Sequence, residues 1–201
     1  VAIGKQATSK GESGVALGTE ALSNGAYGVA IGYQAQTVYS SGVALGYKAK
    51  ANLYGIAQGA EAEAEEYGVA VGRATKANRY GLAQGDGANA AGFGSLAGGK
   101  GALAAQNYAL ATGYEAQAFG NNSIADGYQA NAFGTDAIAL GSLSKALGNQ
   151  SVALGLDATA EAEFGVALGN GAKVNQVAQN GMALGAGSVA NAVNSVALGS
   201  S

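Results

Sequence analysis

The sequence predicts an all-β chain, a parallel β-solenoid built from coils of 13–16 residues. Three observations predict it. A short phrase, Val-Ala-Ile/Leu-Gly, returns from one end of the chain to the other. Within each copy the apolar residues alternate with period two. No Pro falls anywhere in the chain to break a strand.

The Gly that closes the phrase serves as an anchor. It falls at Gly4, Gly18, Gly32, Gly46, Gly59, Gly72, Gly85, Gly99, Gly113, Gly127, Gly141, Gly155, Gly169, Gly185 and Gly199. Most steps are 14 residues, the three from Gly46 to Gly85 are 13, and the step from Gly169 to Gly185 is 16. Ala stands two residues before every anchor, from Ala2 to Ala197. The residue before that Ala is always apolar, as at Val29, Ile56, Leu82 and Met182. Three residues after the anchor comes Ala in most coils, replaced by Thr75, Ser144 and Ser188, and a second Ala often follows, as in Ala49-Lys50-Ala51.

Such a period is too short for helix-containing repeats. It fits two short strands and two turns per coil. The first strand is the Val-Ala-Leu phrase and the second is Ala-x-Ala, while Gly and Asn-Gly pairs supply turn geometry. Coils stacked about 4.8 Å apart give parallel sheets. The expected organisation is a single repetitive domain over residues 1–201, about fourteen coils, cut from a longer protein.

Composition narrows the function classes. There are 35 Gly, and charged residues make up 11%, about half the usual share. The interior must be thin and filled with small side chains. Collagen is excluded, because Gly has no three-residue period and Pro is missing. A net charge of −3 argues against nucleic acid as partner. No stretch is apolar enough to span a bilayer, so no direct membrane insertion is expected. With no His and no Cys, triad and thiolate chemistry are out of reach, and the carboxylates are spread along a repeating surface. The chain is read as no enzyme, with no cofactor and no metal.

The first strand is apolar on both faces, and both should be buried. A flat two-sheet roll covers only one. Either Ala points inward and the large residues meet sister chains, or the large residues fill the roll and Ala lines the interface. The position just before the anchor admits Gln58, Gln84, Gly98, Thr112 and Asp126. A sealed thin interior would not hold those, which favours the first assignment. The candidate interface is then Val15, Val43, Val152, Val166 and Val196, together with Leu17, Leu45, Leu154, Leu168 and Leu198. Asp126 is the odd member, because copies of it near a common axis would be costly if charged.

Asn194-Ser195-Val196-Ala197-Leu198-Gly199 and Ser151-Val152-Ala153-Leu154-Gly155 resemble the head repeat of trimeric autotransporter adhesins, the YadA-like family. That family repeats Asn-Ser-Val-Ala-Ile-Gly-x-x-Ser/Ala-x-Ala, and Gly185-Ala186-Gly187-Ser188-Val189-Ala190 matches its second half. The resemblance extends over the whole chain. It implies a left-handed parallel β-roll assembled as a homotrimer and projecting from a Gram-negative outer membrane. It also implies attachment to host extracellular matrix proteins (collagen, fibronectin or laminin) or to host cells, with self-association in some members. The opening coils depart from the pattern, with Tyr27-Gly28-Val29-Ala30 and Tyr67-Gly68-Val69-Ala70 in place of Asn-Ser-Val-Ala.

Two surfaces stand out as ligand candidates. Tyr54, Tyr67 and Tyr80 share one position in three successive coils, and Tyr27, Tyr108 and Phe164 share it further away. They are expected to form a stacked ladder near a turn, which either wedges between subunits or presents an adhesive aromatic patch. Glu61, Glu63, Glu65 and Glu66 form an acidic run with Lys48, Lys50, Arg73, Lys76 and Arg79 on adjacent coils. That run is either a solvated outer strand or a docking patch for a basic protein. Tyr33, Tyr47, Tyr114 and Tyr128 follow the anchor and are expected to cover the roll edge, while the longest coil should bulge near Gly171–Asn180. The leading function is an adhesin head. A passive spacer or self-association segment is the alternative.

Overall fold

The computed structural model describes residues 1–199. The chain divides into two compact units, Val1–Gly101 and Ala102–Ser201. Each is a stack of the same coil. In the first unit the first strands run from Ala2–Ile3 to Leu96–Gly98 and the second strands from Thr8–Ser9 to Asn89–Ala90. In the second unit the second strands run from Leu103–Ala104 to Val189–Ala190 and the first strands from Leu110–Thr112 to Val196–Leu198. First strands pair only with first strands and second with second, all parallel, so each unit is a two-sheet parallel β-solenoid.

Pairing is in register. Val15, Ala16 and Leu17 lie beside Val29, Ala30 and Ile31. The shorter coils keep that register, with Val43, Ala44 and Leu45 beside Ile56, Ala57 and Gln58. A change in coil length is therefore absorbed entirely in the turns.

The interior is almost pure alanine. Ala16, Ala30 and Ala44 from the first strands and Ala51, Ala64 and Ala77 from the second are buried, and the largest fully buried side chain is Val174. Along Val15–Leu17 the residues are half-buried, buried and exposed in turn. Ala points inward, and the large residues line the outer face of the first sheet. The assignment in which large residues fill the roll is excluded. Small inward side chains let the two sheets approach closely, and buried hydroxyls find partners within their own turns. The Oγ atoms of Ser95, Ser123 and Ser151 donate to the carbonyls of Gly92, Gly120 and Gly148 at 2.7–2.8 Å.

The anchor is Gly for two separate reasons. Gly59 has φ of 139°, a conformation L side chains rarely adopt, and a Cβ there would sit 2.2 Å from the Gly72 carbonyl oxygen of the next coil. Each coil also places ordinary residues in the left-handed region, such as Glu20 and Tyr27, both at φ 58°. Each such residue costs about 1–2 kcal/mol. Hydrogen bonds along the stack offset this, as where the Glu20 N–H donates to the Lys5 carbonyl and the Tyr27 N–H to the Glu12 carbonyl, both at 2.8 Å.

Coil length is set in the second turn, the one leading back to the first strand. In several 14-residue coils this turn carries a Gly, such as Gly25 or Gly134, packed on the next coil, while Tyr39, Gln106, Ala162 and Ala192 hold that place in the others. A Cβ on Gly134 would lie 2.0 Å from the Gly148 carbonyl oxygen. The 13-residue coils lack that Gly. Their turns Asn52-Leu53-Tyr54, Glu65-Glu66-Tyr67 and Asn78-Arg79-Tyr80 are closed by Gly55, Gly68 and Gly81 N–H donating to the Asn52, Glu65 and Asn78 carbonyls at 2.8–2.9 Å. The longest coil makes two successive tight turns, with Ala178 N–H donating to Asn175 and Gly181 N–H to Ala178, both at 2.9 Å. The bulge expected there is thus a double turn.

Candidate ligand-binding surface

The three tyrosines of the short coils form a continuous ladder. Tyr54 and Tyr67 stack at 5.0 Å and Tyr67 and Tyr80 at 4.9 Å, with rings within 11° of parallel. Phe93 meets Tyr80 edge-on at 5.2 Å. Because Tyr67 has a ring on each side, both of its faces are covered and it offers solvent its edge and hydroxyl. Burial among its neighbours is the first cause that raises the Tyr67 phenol above its ordinary value of 10.0, with Tyr80, Tyr54 and Glu66 adding to it. A second set of ladders lies on the opposite turn, with Tyr33–Tyr47 at 5.5 Å and Tyr114–Tyr128 at 5.3 Å. The Lys48 ammonium lies 5.1 Å from the Tyr47 ring centre, and the hydrogen bond with Tyr47 leads the causes that raise Lys48.

The acidic run does not act as one patch. Glu61 sits in the first turn, Glu63 points outward from the second strand, and Glu65 and Glu66 belong to the second turn. Parallel register places each acid beside a residue 13 positions away. Glu63 pairs with Lys76 at 3.4 Å, Glu66 with Arg79 at 2.8 Å, and Asp86 with Arg73 at 2.8 Å. The Asp86 hydrogen bond is the main cause holding the Arg73 guanidinium above its usual range. Glu65 differs from its neighbours. Its carboxylate accepts from the Asn52 amide and makes no ion pair among the described residues.

Glu65 and Glu66 stand between two surface hollows. One, about 510 Å³, is lined by Glu65, Glu66, Asn78, Arg79, Ala91 and Phe93. The other, about 280 Å³, is lined by Tyr39, Asn52, Leu53, Glu65 and Glu66. Glu61 and Glu63 line a third, of about 290 Å³, with Lys48, Ala74 and Lys76. The structure therefore brings Glu65 and Glu66 together and separates them from Glu61 and Glu63. Sequence reading missed Tyr39, Asn52, Leu53, Asn78 and Phe93. The 13-residue step is a signal for Asn52, Leu53 and Asn78, which stand in the shortened turns, while Tyr39 and Phe93 lie in flanking 14-residue coils that the step does not mark.

Among the described residues no three or more acidic, His or Cys side chains group as a metal site. No helix is long and apolar enough to cross a membrane. On the outer face of the first sheet, Thr112 Oγ1 donates to Asp126 Oδ1 at 2.6 Å, so this polar pair partly satisfies itself within the apolar stripe.

The YadA head domain repeat matches residues 1–21, 9–35, 104–125, 127–144, 146–172 and 178–201, more than half of the chain. The chain belongs to the YadA head-repeat family. This is a family of adhesin heads and not of enzymes. Among solved structures, the crystal structure of the collagen-binding domain of the Yersinia adhesin YadA is 26% identical, with a TM-score of 0.45. That match covers 65% of this chain and 65% of that one, so the chain spans less than two thirds of the relative's length. A search of the curated proteins finds no match. The matched head repeats take in the opening and closing 14-residue coils, break at residues 173–177 of the 16-residue coil, and leave residues 36–103 unmatched. That unmatched stretch holds all three 13-residue steps, the Tyr54–Tyr67–Tyr80 ladder and the hollows around Glu65.

Proposed function

We propose that residues 1–201 form a single head domain of a homotrimeric adhesin on a Gram-negative cell surface. It attaches the cell to a host extracellular matrix protein or a host cell-surface receptor. Family membership supports the adhesin role. The observation that carries the trimer is the outer face of the first sheet. Leu17 is 40% exposed, Leu154 44% and Leu198 74%, in line with half-buried Val15, Val43, Val152 and Val166. An exposed apolar stripe of this kind within each unit marks an interaction surface. An alanine-filled interior buries little apolar area per ordered residue, so covering the stripe supplies stability that the single chain lacks.

In this reading Val15, Leu17, Val43, Leu45, Val152, Leu154, Val166, Leu168, Val196 and Leu198 meet their counterparts in sister chains. The ligand is met on the second-turn edge, by Tyr54, Tyr67 and Tyr80 and by Glu65 and Glu66. Glu61 and Glu63 contribute a separate charged patch.

The test has two parts. Mass in solution is expected to be three times that of the chain, and a stable monomer would remove the trimer. The folded head, against a heat-unfolded control, is expected to bind immobilised collagen, fibronectin, laminin or epithelial cells saturably. No binding anywhere in that panel would favour the spacer or self-association role.

A further inference from the structure

The two hollows flanking Glu65 and Glu66 share those two residues and follow one another along the stack, centred on the 13-residue coils, and are taken together as a groove. Successive coils contribute Tyr39, Leu53, Glu66, Arg79 and Phe93 to it. From Tyr39 to Phe93 is four coil steps, roughly 19 Å, the span of about six extended residues. Both ends are apolar and open, with Tyr39 60% and Phe93 39% exposed. The middle is acidic. Arg79 neutralises Glu66, while Glu65 holds only the Asn52 amide.

Hydrogen-bonding capacity is also left over. The backbone N–H groups of Leu53, Glu66 and Arg79 have no acceptor among the described residues. At the equivalent turn of the longest coil, the Gln176 N–H donates to the Glu161 carboxylate at 3.2 Å. Donors at this place in the turn are thus within reach of a side-chain-sized acceptor.

We infer that this groove binds an extended protein segment of about six residues that carries a Lys or Arg opposite Glu65 and apolar side chains over Tyr39–Leu53 and Ala91–Phe93. The inference deepens the adhesin reading and rests on it only for the source of that segment. Charge complementarity selects the occupant. An acidic segment would meet Glu65 and Glu66, and the one cation lining the groove, Arg79, is already paired. The ladder tyrosines stand on the same turns. Their stacked rings hold the turns at a fixed spacing, and Arg79 lies 5.9 Å from the Tyr80 ring, so the groove wall is ordered before a ligand arrives.

The experiment measures binding of the whole folded chain to a labelled, end-capped hexapeptide with central arginine and terminal leucines. A glutamate-for-arginine peptide is the counterpart. Saturable binding of the arginine peptide alone, weakening as salt rises, is expected. Glu65→Gln, which keeps an acceptor for Asn52, is expected to weaken binding about tenfold, while Asp157→Asn, an exposed acid beside Lys145 far along the chain, leaves it unchanged. Equal binding of both peptides, no binding of either, or an unaltered affinity in Glu65→Gln would overturn the proposal. So would a change in solution mass caused by Glu65→Gln, since that would place the groove against a second copy of this chain. Matrix or cell binding that survives Glu65→Gln would sink the groove and leave the adhesin role intact. Peptide binding without any attachment to matrix or cells would do the reverse.

Discussion

Short and long coils share one interior and differ in one turn. In the 14-residue coils around Gly120, Gly134 and Gly148, the second turn lays a Gly against the next coil. The first-strand phrase then opens with a residue that has a Cβ, such as Ser123, Ala137 or Ser151. The 13-residue coils are one residue shorter in that turn. Their phrase opens with Gly, where a Cβ on Gly68 would lie 2.7 Å from the Ala77 carbonyl oxygen, and Gly14, Gly28, Gly42 and Gly165 open it in 14-residue coils as well. Leu53, Glu65, Glu66 and Arg79 stand on that edge and line the hollows, with Tyr39 and Phe93 of the flanking 14-residue coils at either end.

The comparison can be broken most severely at the anchor, which both coil types share. Gly59→Ala places a Cβ 2.2 Å from a carbonyl oxygen at a φ of 139° and is expected to cost more than about 4 kcal/mol, seen as loss of the cooperative urea transition. Loss of the trimer stripe comes next. Leu154→Ala is expected to cost about 2–5 kcal/mol per chain if that side chain is packed in the assembly, read from thermal unfolding. An unchanged midpoint would remove Leu154 from the interface. Asp126→Leu should move stability the other way, raising the unfolding midpoint more at high protein concentration than at low.

The position that opens the phrase is Gly68 in one coil and Ser123 in another, and the two are expected to respond differently. Gly68→Ala is expected to destabilise by about 2–4 kcal/mol. The long-coil counterpart Ser123→Ala loses only the bond to the Gly120 carbonyl, about 1 kcal/mol. Equal losses in urea titrations would show that the close approach to the Ala77 carbonyl does not require Gly at position 68. Inserting one Gly between Glu65 and Glu66 should restore a long turn. Binding of the arginine peptide is expected to disappear while stability moves by less than about 1 kcal/mol.

Smaller effects come from the ladder and the surface charges. Tyr67→Ala removes two stacked contacts, about 1–3 kcal/mol together. The raised Tyr67 phenol sets the sign of its pH dependence. Its folded value lies above the ordinary 10.0, so the neutral form is favoured on folding. That contribution is complete below pH 10.0 and is lost as pH rises through the folded value. Phenolate absorbance should show Tyr67 ionising after the isolated tyrosines, and simultaneous titration would contradict this. Glu63→Gln breaks an exposed pair with Lys76 and should change stability by less than about 1 kcal/mol.

The sequence by itself determined the coil, its two strands, the parallel stacking and the family. Those follow from period, because in-register stacking repeats one local environment at every coil, and each environment selects its residue: Gly where a Cβ would strike the next coil, Ala where two sheets nearly touch. Ala facing inward was legible only as the better of two assignments, since alternation reveals two faces without saying which is inside. The tertiary structure decided that, through the burial of Ala16 beside exposed Leu17. It also decided the fate of the acidic run. Glu61 to Glu66 are consecutive in the chain but fall on a turn, a strand and the opposite turn. Tyr39 and Phe93, far apart in sequence, border the two hollows on either side of Glu65 and Glu66. A repeat carries its backbone in its periodicity, but a surface made by stacking joins residues across coils, and which of them share a groove depends on how the turns fold.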